Sequence, residues 1–223
     1  MCNREFVAPG GLPQYAGYVA FRGLAPETLM PAESRDTLLG RFSFYNAHRT
    51  QMLGYLVAGS DGGTNPGQRR YNWVWYRALT EKQLALVLTS ESGERRQYSM
   101  TAGSLSGATR RELVESASSQ LPRVWALLVE GEPNPFVQAI FDYEAPAMVK
   151  GRVALLGDAA FIVRPHTAMG VSKAAGDAIT LRDCLAQAGS IPEALAFYDK
   201  LRRVEGHLIA QYGRQLGASF GAE

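Results

Sequence analysis

Alternation of apolar and polar residues predicts a set of strands in the first two thirds of the chain. β-branched and aromatic residues recur there at every second position, which is typical of half-buried strands. The predicted strands are Tyr15–Leu24, Arg41–Asn46, Gln51–Val57, Arg70–Arg77, Arg95–Met100 and Phe136–Glu144. A short turn separates the second strand from the third, so we expect a hairpin. The first fourteen residues contain prolines and glycines and are predicted to be irregular.

Apolar residues three or four positions apart predict helices elsewhere. The predicted helices are Ala108–Leu121, Arg123–Glu130, Ser172–Ala188 and a last one that begins after Ser190. Ser190 and Glu193 form a capping-box pattern at its start, with Pro192 in the first turn. An amphipathic stripe along this helix is predicted to pack in the core. Its members are Leu195, Tyr198, Leu201, Leu208 and Tyr212.

The segment Arg152–Ala160 stands out because a short apolar run ends in a Gly-Asp pair. Val153–Leu156 is predicted to be a buried strand, followed by Gly157, Asp158 and two alanines. A carboxylate at the carboxyl end of a buried strand lies where open α/β sheets bind ligands. The small residues beside it let a bulky cofactor approach the backbone. The pattern therefore predicts a cofactor crevice at Asp158.

Together these elements predict an α+β protein with a mixed sheet. We expect a mixed-sheet domain over residues 1–146 and a strand–loop–helix domain over residues 147–223. The net charge of +2 on 223 residues gives no reason to expect nucleic acid or an anionic membrane as partner. No apolar stretch is long enough to span a bilayer, so a cytoplasmic protein is the default expectation. Cys2 and Cys184 suggest no disulfide framework, and no residue grouping has metal-ligand spacing.

A longer motif surrounds the Gly-Asp pair. It reads G-D-A-A-x4-P-x4-G-x6-D-A from Gly157 to Ala178. This motif resembles the second flavin-binding motif of the FAD-dependent aromatic hydroxylases, the p-hydroxybenzoate hydroxylase-like monooxygenases. The resemblance implies that the C-terminal domain is part of a FAD-binding fold. It also implies flavin contacts from Gly157, Asp158, Pro165, Ala168, Gly170 and Arg22.

Further segments resemble the branch of that family that contains 2,6-dihydroxypyridine 3-monooxygenase. They include Tyr15–Tyr18 with Phe21–Gly23, Asn72–Arg77, Pro135–Ile140 and Arg164–His166. The resemblance implies hydroxylation of an electron-rich aromatic or heteroaromatic ring with FAD, NAD(P)H and dioxygen, through a flavin C4a-hydroperoxide. His166, in the loop expected to face the flavin, is the candidate catalytic residue. The aromatic content of the sheet suggests that Phe44, Tyr55, Trp73 and Phe136 wall the substrate.

The sequence also departs from the family. Phe161 stands where many members have histidine, Ser172 replaces an asparagine, and Ala168 lies in a loop that is commonly glycine-rich. The family's G-x-G-x-x-G unit, which holds the ADP part of FAD, does not occur in these 223 residues. Three interpretations of the chain therefore stay open. It is one half of a split hydroxylase, with a separate N-terminal FAD-binding half as its partner, or a non-catalytic substrate-binding or dimerising module, with a homodimer as its form. The third interpretation is a nonfunctional remnant.

Overall fold

Most of the strands pair into one seven-stranded sheet. In the computed structural model, which describes residues 2–220, the strand order is β2-β3-β4-β1-β6-β5, and β9 pairs with β6. The strands are β1 (Gln14–Pro26), β2 (Ser43–Ala47), β3 (Thr50–Val57), β4 (Arg70–Ala78), β5 (Ser99–Met100), β6 (Phe136–Glu144) and β9 (Phe161–Ile162); β7 (Val149–Lys150) and β8 (Val153–Ala154) form a separate pair. The predicted hairpin is confirmed, since β2 and β3 are antiparallel neighbours.

Seven helices accompany the strands among residues 2–220. They are α1 (Cys2–Val7), α2 (Ala32–Leu38), α3 (Glu81–Val87), α4 (Gly107–Gln120), α5 (Arg123–Glu130), α6 (Gly170–Gln187) and α7 (Ile191–Leu216). Ser190 caps α7, because its side chain accepts a hydrogen bond from the backbone N–H of Glu193. The Glu193 carboxylate accepts the backbone N–H of Gly189. The α+β class is confirmed. Within residues 2–220 we find no helix that has both the length and the apolar character to cross a membrane.

The chain divides into two units that alternate along the sequence. One unit contains the described residues up to Ala16 together with Phe141–Ser219, and the other contains Gly17–Ile140 with Phe220. The unit boundaries therefore fall inside β1 and β6. This division places the first sixteen residues with the C-terminal unit, whereas the sequence interpretation grouped them with residues 17–146.

One face of the sheet in the Gly17–Ile140 unit is packed with large aromatic side chains. Trp73 and Trp75 are fully buried there, and the Trp75 indole N–H donates to Thr50 Oγ1 at 2.6 Å. Helix α5 covers this face, since the Trp125 ring lies 6.4 Å from that of Tyr71. Arg77 stacks on Trp75, with 4.7 Å from its guanidinium carbon to the ring centroid. The opposite face is the more open one and carries candidate site residues.

Three local predictions are wrong. The strand predicted over Arg95–Met100 is reduced to β5 (Ser99–Met100), and Arg95 forms an isolated bridge with Thr89. The residues predicted to be an irregular lead-in include helix α1, whose Val7 is buried in the core of the C-terminal unit. The strand predicted over Val153–Leu156 is only the two-residue β8, antiparallel to β7, and both of its residues are half-buried. An apolar run shows that a segment is covered, but strand length depends on neighbouring strands, and β8 has only β7 as a partner among the described residues.

The predicted core stripe of α7 is correct for two residues and wrong for three. Leu195 and Tyr198 are buried, but Leu201, Leu208 and Tyr212 are each half exposed or more. They belong to an outer seam on the opposite side of the helix, formed by Phe197, Leu201, Val204, Leu208 and Tyr212. The buried side instead includes Arg202, Gly206 and Ala210. Helix α7 therefore has two apolar faces, and the sequence pattern merged them.

Phe161 packs against α7 because a glycine lies opposite it. The Phe161 side chain is 2% exposed and belongs to the core of the C-terminal unit with Tyr198 and Met148. A Cβ added at Gly206 would lie 2.7 Å from carbons of the Phe161 ring. The missing side chain of Gly206 thus makes room for the ring of Phe161.

We predict that Gly206→Ala destabilises the protein. Overpacking against Phe161 costs about 1–3 kcal/mol and exceeds the ~1 kcal/mol that alanine gains in helix propensity. The measurement is the free energy of unfolding in urea. Gly170→Ala is the matched control, since its added methyl group meets no atom within 4 Å. A G206A variant at least as stable as the unaltered chain would contradict the packing described for Phe161.

Candidate functional site

The Gly-Asp pair lies on a tight turn rather than at the end of a long strand. Gly157–Ala159 is one turn of 3-10 helix, and the backbone of Gly157 is left-handed with φ of +58°. A Cβ at Gly157 would lie 3.2 Å from the Cβ of Ala174 on helix α6. Glycine is therefore needed both for the backbone conformation and for the close approach of α6.

The Asp158 side chain is exposed while the backbone of its turn is held. Arg4 on helix α1 donates from Nε to the carbonyl of Ala159 at 3.0 Å and from Nη2 to the carbonyl of Asp158. The Asp158 carboxylate accepts no hydrogen bond from any residue between 2 and 220. This arrangement presents an available carboxylate on a fixed backbone, which suits the binding of sugar hydroxyls.

The loop from Arg164 to Gly170 leads from this turn to helix α6. The Arg164 guanidinium makes a bidentate ion pair with Asp142, the shorter contact being 2.7 Å. Pro165 begins a 3-10 turn, and Ala168 follows it in the left-handed conformation with φ of +52°. Gly170 is the first residue of α6. Pro165 and Ala168 are exposed, so the loop and the first N–H groups of α6 are open to a ligand.

His166 lies in this loop in an uncharged state. Burial lowers its pKa to about 4, and the nearby positive charge of Arg164 acts in the same direction. The imidazole is therefore neutral at neutral pH. It can donate or accept a hydrogen bond there, but it carries no proton to give as an imidazolium.

Three buried charged residues hold the turn from the side of α6 and α7. We call Lys173, Asp177 and Arg202 the buried cage; each side chain is at most 4% exposed. Asp177 was part of the sequence motif, but Lys173 and Arg202 were not identified as site residues. The four-residue spacing of Lys173 and Asp177 on one helix was a usable signal. The sequence contained no such signal for Arg202, because it is 25 residues from Asp177.

The second group of candidate residues lies in the Gly17–Ile140 unit. Arg22 and Tyr55 share one face of the sheet, since Arg22 is opposite Val74 and Tyr55 is opposite Asn72. Phe44 extends this face, as it is opposite Leu53. The Arg22 guanidinium carbon lies 6.0 Å from the centroid of the Phe136 ring. The structure thus places four predicted residues, Arg22, Phe44, Tyr55 and Phe136, on one side of the sheet.

Trp73, which was also predicted to wall the substrate, does not lie on this side of the sheet. Its side chain is fully buried, and it lies between Gly23 and Gly54 on the opposite face. Strand alternation puts Asn72, Val74 and Tyr76 on the Arg22 side instead. Asn72 was therefore missed as a candidate residue, although the alternation pattern contained the signal.

Two buried donors on the Arg22 side have no partner among the described residues. Arg22 Nε and Asn72 Nδ2 are buried and have no hydrogen-bond partner among the described residues. Burial raises the pKa of the Tyr76 hydroxyl to about 12, against the opposing effect of Arg22. Unpaired buried donors are costly, so they mark a place where a ligand with acceptor atoms gains affinity.

The two groups fit a flavin and an aromatic ligand better than a metal. Near Asp158 the donor set is one free carboxylate, a glycine that permits close approach and the N–H groups that begin α6. These suit the sugar and phosphate parts of a dinucleotide. No group of three or more metal-ligating side chains occurs within residues 2–220.

Two family profiles match the chain. A profile described as "FAD binding domain-like" matches residues 15–142, which is more than half of the chain. A second, described as "FAD binding domain", matches residues 138–207 and includes the Gly157–Ala159 turn. Together the matches extend through both groups of candidate residues.

Relatives and solved structures agree with these profiles. The chain is 30% identical over 200 residues to 2,6-dihydroxypyridine 3-monooxygenase of Paenarthrobacter nicotinovorans, covering 87% of this chain and 48% of that protein. It is 36% identical over 115 residues to salicylate hydroxylase of Pseudomonas putida, covering 49% of this chain and 26% of that protein. The structure of 2,6-dihydroxypyridine-3-hydroxylase from Arthrobacter nicotinovorans matches with a TM-score of 0.85 at 27% identity, covering 95% of this chain and 54% of that chain.

The chain therefore spans at most about half the length of the relatives it matches.

We predict that His166 reduces stability in mild acid. Its folded pKa of about 4 lies below the ordinary value of 6.5, so the unfolded chain takes up the proton first as pH falls. The stability that depends on a neutral His166 is fully present above about pH 6.5 and is lost as the pH falls from 6.5 to 4. A His166→Gln variant should show a flatter fall of unfolding free energy across this range, with His48→Gln as the control for removing a histidine. An NMR titration that gives His166 a pKa near 6.5 would contradict the buried, neutral state.

Proposed function

The chain belongs to the FAD-dependent, p-hydroxybenzoate hydroxylase-like monooxygenase family, and from this premise we propose that it forms the substrate-binding and C-terminal flavin-contacting portion of an aromatic-ring hydroxylase. The exposed Asp158 carboxylate, on a turn whose backbone is held by charged side chains, is the observation that carries the proposal. A solvated surface aspartate needs no such support. A ligand-binding carboxylate does, because its orientation determines affinity.

Residues of the C-terminal unit would hold the cofactor. Asp158 would accept hydroxyl groups of the ribityl or ribose part of FAD, and the first N–H groups of α6, from Gly170 onward, would face its phosphates. Gly157 and Ala168 add no bulk beyond a methyl group to this surface, and Pro165 fixes the loop. FAD reduced by NAD(P)H would supply the reaction with dioxygen that inserts one oxygen atom into the ring.

Residues of the Gly17–Ile140 unit would hold the ring. Phe44, Tyr55 and Phe136 offer apolar and aromatic surface, and Arg22 and Asn72 have buried donors without partners. Donors of this kind favour hydroxyl, oxo or ionised oxygen substituents on the substrate. Arg22 also stabilises an ionised ring, which is the electron-rich form that reacts with an electrophilic oxygen. Relatives that act on hydroxypyridine and salicylate support this substrate class.

His166 would act as a neutral group in this scheme. With a pKa of about 4 it is a hydrogen-bonding residue of the flavin loop and a weak base. We therefore propose that it positions a substrate or flavin atom and transfers no proton as an imidazolium.

The exposed apolar side chains of the outer seam of α7 favour an interface with a polypeptide partner. Five apolar side chains, each at least half exposed, follow one another along the helix at three- and four-residue steps. An apolar face of this kind on a soluble protein is typical of an interface. We propose a nucleotide-binding half, in the same or a separate polypeptide, as the partner of the chain; a homodimer is the alternative.

We predict that the chain needs such a half to retain FAD. The experiment co-expresses it with the portion of 2,6-dihydroxypyridine 3-monooxygenase that lies outside the matched region. A yellow complex should copurify and oxidise NADH or NADPH in response to a hydroxypyridine, with a hydroxylated product. Asp158→Ala should weaken FAD binding by about ten- to a hundredfold, which corresponds to the ~1.5–3 kcal/mol of a hydrogen bond to a charged group.

Asp183→Ala on helix α6 is the matched control, since its side chain is 46% exposed and, among residues 2–220, pairs with Arg182 alone. Equal FAD affinity of D158A and D183A complexes would refute the role of Asp158. Saturable quenching of tryptophan fluorescence by a hydroxypyridine, with no turnover in any complex, would instead support a non-catalytic binding module.

A further inference from the structure

The buried cage connects two helices to the turn that carries Asp158. Asp177 Oδ2 accepts the backbone N–H of Gly157 at 2.8 Å, and Lys173 Nζ donates to the carbonyl of Gly157 at 2.9 Å. Asp177 Oδ1 accepts Arg202 Nε from α7 at 2.7 Å. Both backbone polar atoms of Gly157 are thus bound by charged side chains of one helix, and a second helix holds one of those side chains.

Stability alone does not account for this arrangement. Removing three charges from water costs more than their mutual attraction commonly returns, and apolar residues of similar volume often stabilise a protein as well or better. The surroundings also leave room for an apolar solution, because Lys173 Nζ lies 5.8 Å from the centroid of the buried Phe161 ring. What apolar side chains could not do is bond the N–H and carbonyl of Gly157.

The remaining backbone carbonyls of the turn are also occupied. Arg4 binds those of Asp158 and Ala159, and the N–H of Ala160 donates to the carbonyl of Gly157 at 3.1 Å. The Asp158 carboxylate is the polar group of this turn that stays exposed and unbound among the described residues. The cage therefore holds the backbone at Gly157, before Asp158, and Arg4 holds the carbonyls of Asp158 and Ala159.

We infer that Lys173, Asp177 and Arg202 are positioning residues: they set the orientation of Asp158 for the sugar chain of the flavin through the backbone of Gly157. This inference rests on the proposed function for the identity of the ligand, but not for the mechanical link itself. Arg202 acts indirectly, because it contacts the Asp177 carboxylate and not the turn itself. It is also paired with Glu205 at the surface.

The test separates positioning from stability with three variants. Lys173→Met and Asp177→Asn remove single links, and the triple variant K173M/D177L/R202M replaces the cage with apolar side chains. Lys200→Met and Asp183→Asn, at exposed or half-exposed positions of α7 and α6, are the matched controls. For each protein we would measure amide hydrogen exchange of residues 157–160 and the thermal midpoint. The FAD dissociation constant is measured by fluorescence titration of its complex with the nucleotide-binding half.

The expected result is local. Exchange at Gly157–Ala160 should rise about tenfold or more in K173M and in the triple variant, while exchange in the middle of α6 and α7 stays within about twofold. The triple variant should keep a thermal midpoint within a few degrees of the unaltered chain and bind FAD about tenfold more weakly. The control variants should change neither exchange nor FAD affinity.

Two results would overturn the inference. Unchanged exchange at Gly157–Ala160 in a folded K173M variant would show that the cage does not hold the turn. An equal rise throughout α6, α7 and the turn would show that the cage serves stability only. The FAD titration of the complex formed by the unaltered chain with the nucleotide-binding half tests the proposed function separately, so that failure of the cage and failure of the flavin site give different results.

Discussion

The carboxylate of Asp177 makes the contacts on which the geometry of the Gly157–Ala159 turn depends. One oxygen binds the backbone N–H of Gly157, and the other binds Arg202, which comes from a helix that begins only after α6 has ended. Because Lys173 lies one helical turn before Asp177, its ammonium group reaches the carbonyl of the same glycine. The path from α7 through α6 to the Gly157–Ala159 turn is thus a chain of short polar contacts in a buried environment. Such contacts are directional, so they fix geometry in a way that apolar packing does not.

A different constraint organises the Gly17–Ile140 unit. The period of two along a strand sends alternate side chains to opposite faces, and the two faces here have different compositions. The face under α5 is filled by Trp73 and Trp75. The Trp75 indole and the Arg77 guanidinium have hydrogen-bond partners there, whereas Trp73 Nε1 has none among the described residues. The other face carries Arg22 and Asn72 with unpaired buried donors.

How much could be predicted from the sequence differs between the fold and the site. Alternation and helical spacing located the main strands and helices, because these patterns follow directly from backbone geometry. The motif around Gly157 and Asp158 located the turn. The pattern failed where residues on different faces of an element fit the same sequence pattern. Leu201 and Tyr198 fit the same stripe of α7 although they lie on different faces, and Trp73 was chosen by its aromatic character although its parity assigns it to the packed face. Arg202 could not be found at all, since a long-range ion pair leaves no periodic trace in one sequence.

NMR titration of the labelled chain with FAD tests the central claim, which is that the Asp158 turn and the start of α6 contact the flavin. Because weak binding in fast exchange still shifts resonances, the measurement does not require the chain to retain FAD during purification. The account predicts saturable shifts for the amides of Gly157, Asp158 and Ala159 and for residues 168–171, all reduced in the D158A variant. Saturable shifts confined to other residues, or none at millimolar FAD, would contradict it.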